Sequence, residues 1–531
     1  MKTRSKRRFL NMMTSAAFIG AITGSLTATV VLLYKLCATH VIALSQKGYA
    51  YLRHQPILIP AVLLLMLGVA FLYAFVYRKR PNLRGGGIPT SIGVLRGLIP
   101  FRWVGNLIGT VMLSLTTFLF GVPLGNEGPS VQMGTAIGRG TVRSLSKKYR
   151  AWDRYSMTGG ACSGFSVATG APISGILFAI EEAHQRISPM ILIVSSTSVM
   201  FASMITELLS PLLGVSPNLF PTFSLPPLRV TQAWIPAIIG LAVGLFAVLF
   251  LKYYHLINDF FRNKLKKLTH GVIIFMIFAA TLLLGLASPS FISTGHHLIL
   301  ELMDGTIILP MLLLLLLVRS TLTLSASSGR ITGGMFLPIL AIGTLLAAIL
   351  AEIFEWCGLS TDYHTLIILL GLTACIAGMM KTPLTAIVFA IEALGCYENI
   401  LFIIIVAAVP FMITEIFSVK SINDSILETR IEEMYDGESK RVIDTFVTVQ
   451  KNAFAIGKQV RDIFWPANLF VLSIKHTQKE DAEVDEHGGR LISEGDVLHV
   501  RYVTYNDIQT RLELTAIVGE QDFDESDADV I

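Results

Sequence analysis

The chain has 531 residues, 53% hydrophobic and only 15% charged, with a formal net charge of +5. Soluble globular chains carry roughly 25% charged residues, so the bulk of the chain is neither a soluble enzyme nor a nucleic-acid-binding domain, and it reads as a polytopic membrane protein. The charge is uneven: residues 431–531 hold 10 Lys and Arg against 21 Asp and Glu, a net of −11, which leaves +16 for residues 1–430.

The N-terminus opens with Lys2, Arg4, Lys6, Arg7 and Arg8 ahead of an apolar run at 16–34. A signal peptide is the rival reading, but the run is long and no small-x-small cleavage site ends it, so it reads as a retained first helix. A bilayer needs about 20 apolar residues to be crossed, and further such runs lie at 57–77, 105–124, 233–251, 271–288 and from 306 onward. Several are broken by Gly and Pro. The basic flanks "YRKRPNLR" (77–84) and "SKKYR" (146–150) put the N-terminus and these loops in the cytoplasm by the positive-inside tendency. Cys37, Cys162, Cys357, Cys375 and Cys396 are scattered, with no zinc spacing and no disulfide framework, and read as buried small apolar residues. No cofactor is implied.

The chain repeats itself. "GAPISGILFAIEEA" aligns with "KTPLTAIVFAIEAL", matching Pro172 to Pro383 and Glu181 to Glu392 at an offset of 211. Upstream, "GPSVQMG" aligns with "LPILAIG" through Pro129/Pro338 and Gly134/Gly343 at an offset of 209. Two motifs in one order at nearly one displacement argue for a duplicated membrane unit, about 15–210 and 225–425 within a membrane domain of 1–430. Chance likeness among apolar segments is the alternative. Matching broken segments are the pattern of transporters whose discontinuous helices present their ends to a substrate. Gly85-Gly86-Gly87-Ile88-Pro89, Gly125-Asn126-Glu127-Gly128-Pro129 and Gly333-Gly334-Met335-Phe336-Leu337-Pro338 each combine glycines with a proline suited to a first helical turn. Bare N–H groups at such starts suit an anion.

These residues carry a family resemblance. "GNEGPSVQMG" resembles the G-[KR]-E-G-P signature of the CLC chloride channels and H+/Cl− exchangers, "GGMFLP" their G-x-F-x-P signature, and "GGGIP" their G-S-G-I-P. The likeness runs from about residue 20 to residue 430. It implies an all-α CLC fold, a homodimer in the bilayer with one pore per subunit between two inverted halves, and chloride and protons as the transported partners. Glu127 falls at the external gating glutamate, and Glu182, 55 residues on, at the internal proton-transfer glutamate of the exchangers. Neighbouring Glu181 faces elsewhere on a helix and reads as structural. For Glu182, an ion pair with Arg186 at a cytoplasmic helix end is the competing reading.

The anion ligands implied by the resemblance are the backbone amides of Asn126 and Gly128 outside and of Met335, Phe336 and Leu337 within. Two departures stand out. The family's central serine falls at Gly86, and its central tyrosine, in a stretch like "KPLYSAIL", falls at Asn423 in "KSINDSIL". Asn126 also replaces the usual basic neighbour of the gating glutamate. Weaker central binding and looser coupling are expected, so an uncoupled channel stays open beside proton-coupled antiport. Pro129, which the fluoride-exporting branch commonly lacks, favours chloride over fluoride.

From about residue 440 the composition turns soluble, after a linker at 431–444. "RVIDTFVTV", "NLFVLSIKH" and "EGDVLHVRYV" read as strands, "NAFAIGKQVRDIFWP" as an amphipathic helix, and "NDIQTRLELTAIVG" as a capped helix ending at Gly519. The order resembles the TrkA-C module over roughly 445–520, which implies a small cytoplasmic α+β regulatory domain that dimerises and could bind a nucleotide such as cyclic di-AMP. Residues 521–531 read as an acidic disordered tail. An intramembrane enzyme is a remote rival: Ser163 and the pair His296-His297 lack any G-x-S-x-G or H-E-x-x-H context. A sensor with a signalling membrane part lacks an output domain.

Overall fold

The computed structural model describes residues 2–145, 151–185, 187–221, 223, 225–305, 307–435, 441–466, 469–475, 491–504, 507–521 and 528–530. The basic run at 146–150 and Arg186 lie outside them.

The first half holds eight helices: α1 Lys2–His54, α2 Ile59–Lys79, α3 Ile88–Leu95, α4 Trp103–Leu119, α5 Glu127–Leu145, α6 Asp153–Thr169, α7 Pro172–Phe178 and α8 Pro189–Leu213. The second repeats the sequence: α9 Trp234–Asn263, α10 His270–Ala287, α11 His296–Met303, α12 Leu309–Ser328, α13 Phe336–Trp356, α14 His364–Met379, α15 Pro383–Glu392 and α16 Ile400–Ile416. A further helix, α17, spans Ile422–Met434. Packing repeats as well, since α1 lies on α8 as α9 lies on α16, and α5 on α6 as α13 on α14. Among the described residues nine helices are long and apolar enough to cross a membrane. Of the remaining helices, α3, α7 and α15 are short, with 8, 7 and 10 residues, and each carries a proline in its first turn.

The central helices are enclosed by the rest of the protein, and α5 is buried from Glu127 to Val142. Close helix contact at glycine makes that possible. A Cβ on Gly134 would lie 1.9 Å from the Gly160 carbonyl oxygen, and one on Gly160 would lie 2.0 Å from that of Gly134. Backbone against backbone is how membrane helices associate without a hydrophobic driving force.

The C-terminal region is a four-stranded antiparallel sheet of order β2-β3-β1-β4, with β1 Arg441–Thr448, β2 Leu469–Lys475, β3 Val497–Thr504 and β4 Ala528–Val530. One helix, α18 Asp507–Val518, packs on it around Leu498, Val500, Tyr502 and Leu514. Three expectations are corrected. The linker is shorter than 431–444, because α17 runs to Met434 and β1 begins at Arg441. Residues 452–466 form turns and one 3-10 turn at Val460–Asp462, not an amphipathic helix. The acidic tail is not wholly unstructured: Ala528–Val530 pairs with the free edge of β1, Val442 opposite Asp529. Residues 476–490 and 522–527 lie outside the described chain.

Candidate functional site

Three glycine loops meet at the centre of the membrane domain. Gly125 N–H donates to Gly334 O at 2.7 Å and Gly334 N–H to Gly125 O at 2.8 Å, so the loops before α5 and α13 pair antiparallel about a local two-fold. Gly85 N–H donates to Arg330 O at 2.8 Å, which ties the third loop to the same segment. A Cβ on Gly128 would come within 2.6 Å of Gly334 Cα and 3.1 Å of Gly87 Cα, so only bare backbone fits there. Gly87 has φ +82°, a conformation only glycine adopts freely. Phe336 anchors its loop edge-on against Phe165 at 5.1 Å and Phe389 at 5.6 Å.

Glu127 sits in this cleft with 0% exposure. A Cβ on Gly125 would lie 2.3 Å from Glu127 Oε2 and 3.2 Å from Leu337 Cβ, which places the carboxylate between the 125 and 337 backbones. Neither oxygen has a hydrogen-bond partner among the described residues. The nearby buried Lys35 ammonium donates instead to Pro217 O at 3.3 Å. Asn126, Gly128, Met335, Phe336 and Leu337 are therefore brought together around Glu127. Gly86 stands in the adjoining loop, where a Cβ would meet Gln132 Oε1 at 3.2 Å. Gln132 accepts from Gly87 N–H at 2.7 Å, a contact that holds the loop against α5.

Glu182 lies on a π-helical turn, Ala179–His184, that continues α7. It is buried, and its carboxylate accepts a hydrogen bond from Asn423 Nδ2 at the start of α17. The predicted central-site residue is thus joined directly to the predicted proton-transfer residue. Arg96 secures the pair from behind: Nη2 donates to Glu182 O at 2.9 Å, Nε to Ala183 O at 3.1 Å, and Nη1 to Asp424 Oδ1 at 2.9 Å. Glu181 turns away and caps α15, accepting from Leu384 N–H, Thr385 N–H and the Thr385 hydroxyl. Glu392 returns the same three bonds to α7 through Ile173 N–H, Ser174 N–H and the Ser174 hydroxyl. A cavity of about 1230 Å³ opens beside Glu182, lined by Arg96, Lys381, Lys420, Asp424 and Glu428 among others. Sequence reading had missed Arg96, Gln132 and Asp424, whose partners are far away in the chain and whose types alone carry no signal.

The C-terminal domain reaches this region through Phe464 and Trp465. Tyr155 on α6 donates through its hydroxyl to Asp462 O at 3.0 Å and accepts from Phe464 N–H at 3.0 Å. Arg154 donates to Trp465 O. The Phe464 ring meets His184 edge-on at 4.4 Å, two residues from Glu182. Earlier in the same segment, burial pulls the Lys458 ammonium down to about 7.

A family model described as voltage gated chloride channel matches residues 68–415. The H(+)/Cl(−) exchange transporter ClcA of Klebsiella pneumoniae subsp. pneumoniae is 30% identical over 378 residues, 69% of this chain and 77% of the relative. That of Citrobacter koseri is 29% identical over 432 residues, 79% of this chain and 88% of the relative. Among solved structures, a slow cyanobacterial Cl−/H+ antiporter superposes with a TM-score of 0.69 at 24% identity, covering 80% of this chain and 98% of that one. A CLC-type fluoride/proton antiporter superposes at 0.61 with 20% identity, covering 76% and 96%.

Proposed function

The chain belongs to the voltage-gated chloride channel family, and on that premise we propose that it exchanges chloride, or a similar monovalent anion, for protons across the membrane. The observation that carries this reading is Glu127, a fully buried carboxyl that makes no hydrogen bond or ion pair among the described residues, set among bare loop backbones. An ionised carboxylate there mimics the anion and fills its place. A protonated one is neutral, has no claim on a site built for negative charge, and leaves it to chloride. Only an acid can act both as anion mimic and as proton carrier.

Protons reach the other side through Glu182, which lies beside the large cavity and is held by Asn423. The amides of Asn126, Gly128, Met335, Phe336 and Leu337 are the anion ligands in this scheme, and Gly86 supplies no hydroxyl. A monovalent anion therefore meets fewer side-chain donors than in relatives with serine and tyrosine, and discrimination among chloride, bromide and nitrate is loose. The proposal includes a homodimer, a cytoplasmic N-terminus and a cytoplasmic C-terminal domain. Regulation passes through the Phe464–His184 contact, with a cyclic dinucleotide such as cyclic di-AMP as the candidate ligand between two C-terminal domains.

The test is anion flux against pH in proteoliposomes. The wild-type protein should move chloride faster as pH falls, and Glu127→Gln should move it at a rate independent of pH. A pH dependence that survives Glu127→Gln would contradict the gating role.

A further inference from the structure

Beyond transport, the molecule carries a second collection of donors that the mechanism does not use. At the basic end of α9 and α10, a cavity of about 190 Å³ is lined by Arg84, Arg262, His270, Ser328, Arg330 and Glu433 among others. Three guanidinium groups face one carboxylate in its wall. Glu433 is already engaged by Arg330, at 3.1 Å to Nε and 2.6 Å to Nη2, and Arg262 pairs with Glu432 at 3.0 Å. Four polar atoms able to donate are left over: Arg84 Nε, His270 Nε2 in the tautomer protonated there, Ser328 Oγ and Arg330 Nη1 are all buried and make no hydrogen bond among the described residues. Arg330 is 4% exposed and Ser328 7%, so bulk water does not serve them. Buried donors call for acceptors. Several donors of different types around one small space suit a tetrahedral oxyanion, and arginine suits phosphate in particular.

The same cavity adjoins an apolar one. A groove of about 460 Å³ between α9, α10 and α12 shares Phe261 and Ile273 with the cationic cavity, and continues past Met276, Ala280, Leu284 and Leu317. Met276 is 48% exposed and Leu317 62%, so this face looks outward to the lipid. Lys264, Lys266 and Lys267 lie in the connection between α9 and α10, at the end where the donors gather. Such basic juxtamembrane residues draw anionic headgroups to the surface.

We infer that these two adjoining spaces form a binding site for one anionic phospholipid, its phosphate among Arg84, His270, Ser328 and Arg330 and an acyl chain in the groove between α9, α10 and α12. A freely soluble phosphate would use the first space and leave the second empty, and a zwitterionic lipid would place its ammonium among guanidinium groups. The continuity of the two spaces favours the anionic lipid. Bound there, the headgroup holds Arg84, which directly precedes the 85–87 loop, and Arg330, whose carbonyl accepts from Gly85 N–H at 2.8 Å. The lipid thereby anchors the loop that faces Glu127.

The test uses the purified, delipidated full chain in detergent, titrated with dioctanoyl phosphatidic acid, dioctanoyl phosphatidylcholine and inorganic phosphate. Phosphatidic acid should bind at least about tenfold more tightly than either of the others, the scale of one charge-assisted hydrogen bond. Arg84→Gln should weaken it about tenfold through the headgroup, and Ala280→Trp should weaken it comparably by filling the groove. If Arg84→Gln does not fold, His270→Gln takes its place. Equal binding of phosphatidylcholine, binding of phosphate as tight as that of the lipid and indifferent to Ala280→Trp, or no binding of phosphatidic acid would each overturn the inference.

Discussion

Glu181 and Glu392 clasp the two halves of the membrane domain, and removing one end of the clasp has a calculable cost. Glu181 accepts from Leu384 N–H at 2.8 Å, Thr385 N–H at 2.7 Å and the Thr385 hydroxyl at 2.7 Å, all at the start of α15. Hydrogen bonds to an ionised acceptor contribute about 1.5–3 kcal/mol each when water is excluded, and loss of an N-terminal cap costs about 0.5–2 kcal/mol. Leu384 is exposed, so water replaces part of the loss, and Glu181→Ala should destabilise by about 2–4 kcal/mol in total. Glu181→Gln, which keeps one acceptor oxygen, should cost about half as much. Hydrogen exchange in detergent is the direct assay. The amides of Leu384 and Thr385 should lose protection in Glu181→Ala, whereas those of Ile173 and Ser174, held by Glu392, should keep most of theirs. Because both ends clamp the same pair, α7 and α15, the double variant should cost less than the sum of the single ones. Unchanged protection at Leu384 and Thr385 would refute the reasoning.

Other outcomes follow from the same geometry. Asn423→Leu removes the amide that holds Glu182 and should lower the number of protons moved per chloride without stopping chloride flux; an unchanged ratio in paired flux recordings would contradict the link. Phe464→Ala empties the contact with His184 and Tyr155, at a cost of about 3–5 kcal/mol for a buried aromatic ring. It should expose the start of α6 to exchange while leaving β3 protected, and loss of both together would mean that the C-terminal domain itself had unfolded. Lys458 titrates at about 7 in the folded chain and near ~10.4 when unfolded. The unfolded state therefore binds the extra proton between those values, and the stability of the C-terminal domain should rise from pH 7 toward pH 10. Lys458→Met should flatten that rise, as read from exchange in β3 at pH 7 and pH 9.

Much of this site was legible because it is local. The G-x-E-G-P and G-x-F-x-P stretches place glycine, glutamate and proline within a few residues, and the folded chain keeps each group together at a helix start. The repeat was legible too, since Pro172/Pro383 and Glu181/Glu392 align by residue type. That each glutamate caps the other half's helix was not, because a contact across 203 to 219 residues leaves no mark on either segment alone. The bond between Asn423 and Glu182 spans 241 residues and was hidden for the same reason. Residues 452–466 have a helical spacing of apolar side chains, yet their amides pair outward. Ala455 N–H donates to Ile517 O at 3.0 Å and Gly457 N–H to Ile492 O at 2.7 Å, and Gly457 turns the chain at φ +76°. Apolar side chains recur there because the segment is packed between the sheet and α6, not because it is a helix.

The central claim is coupled exchange through two carboxyls, and uphill transport tests it most directly. Proteoliposomes loaded with chloride and diluted into low chloride should take up protons against a pH gradient, and Glu182→Gln should abolish that uptake while chloride still leaves. Chloride efflux with no proton uptake in the wild-type protein would contradict the account and make the molecule an uncoupled anion pathway, with Glu182 a structural acid.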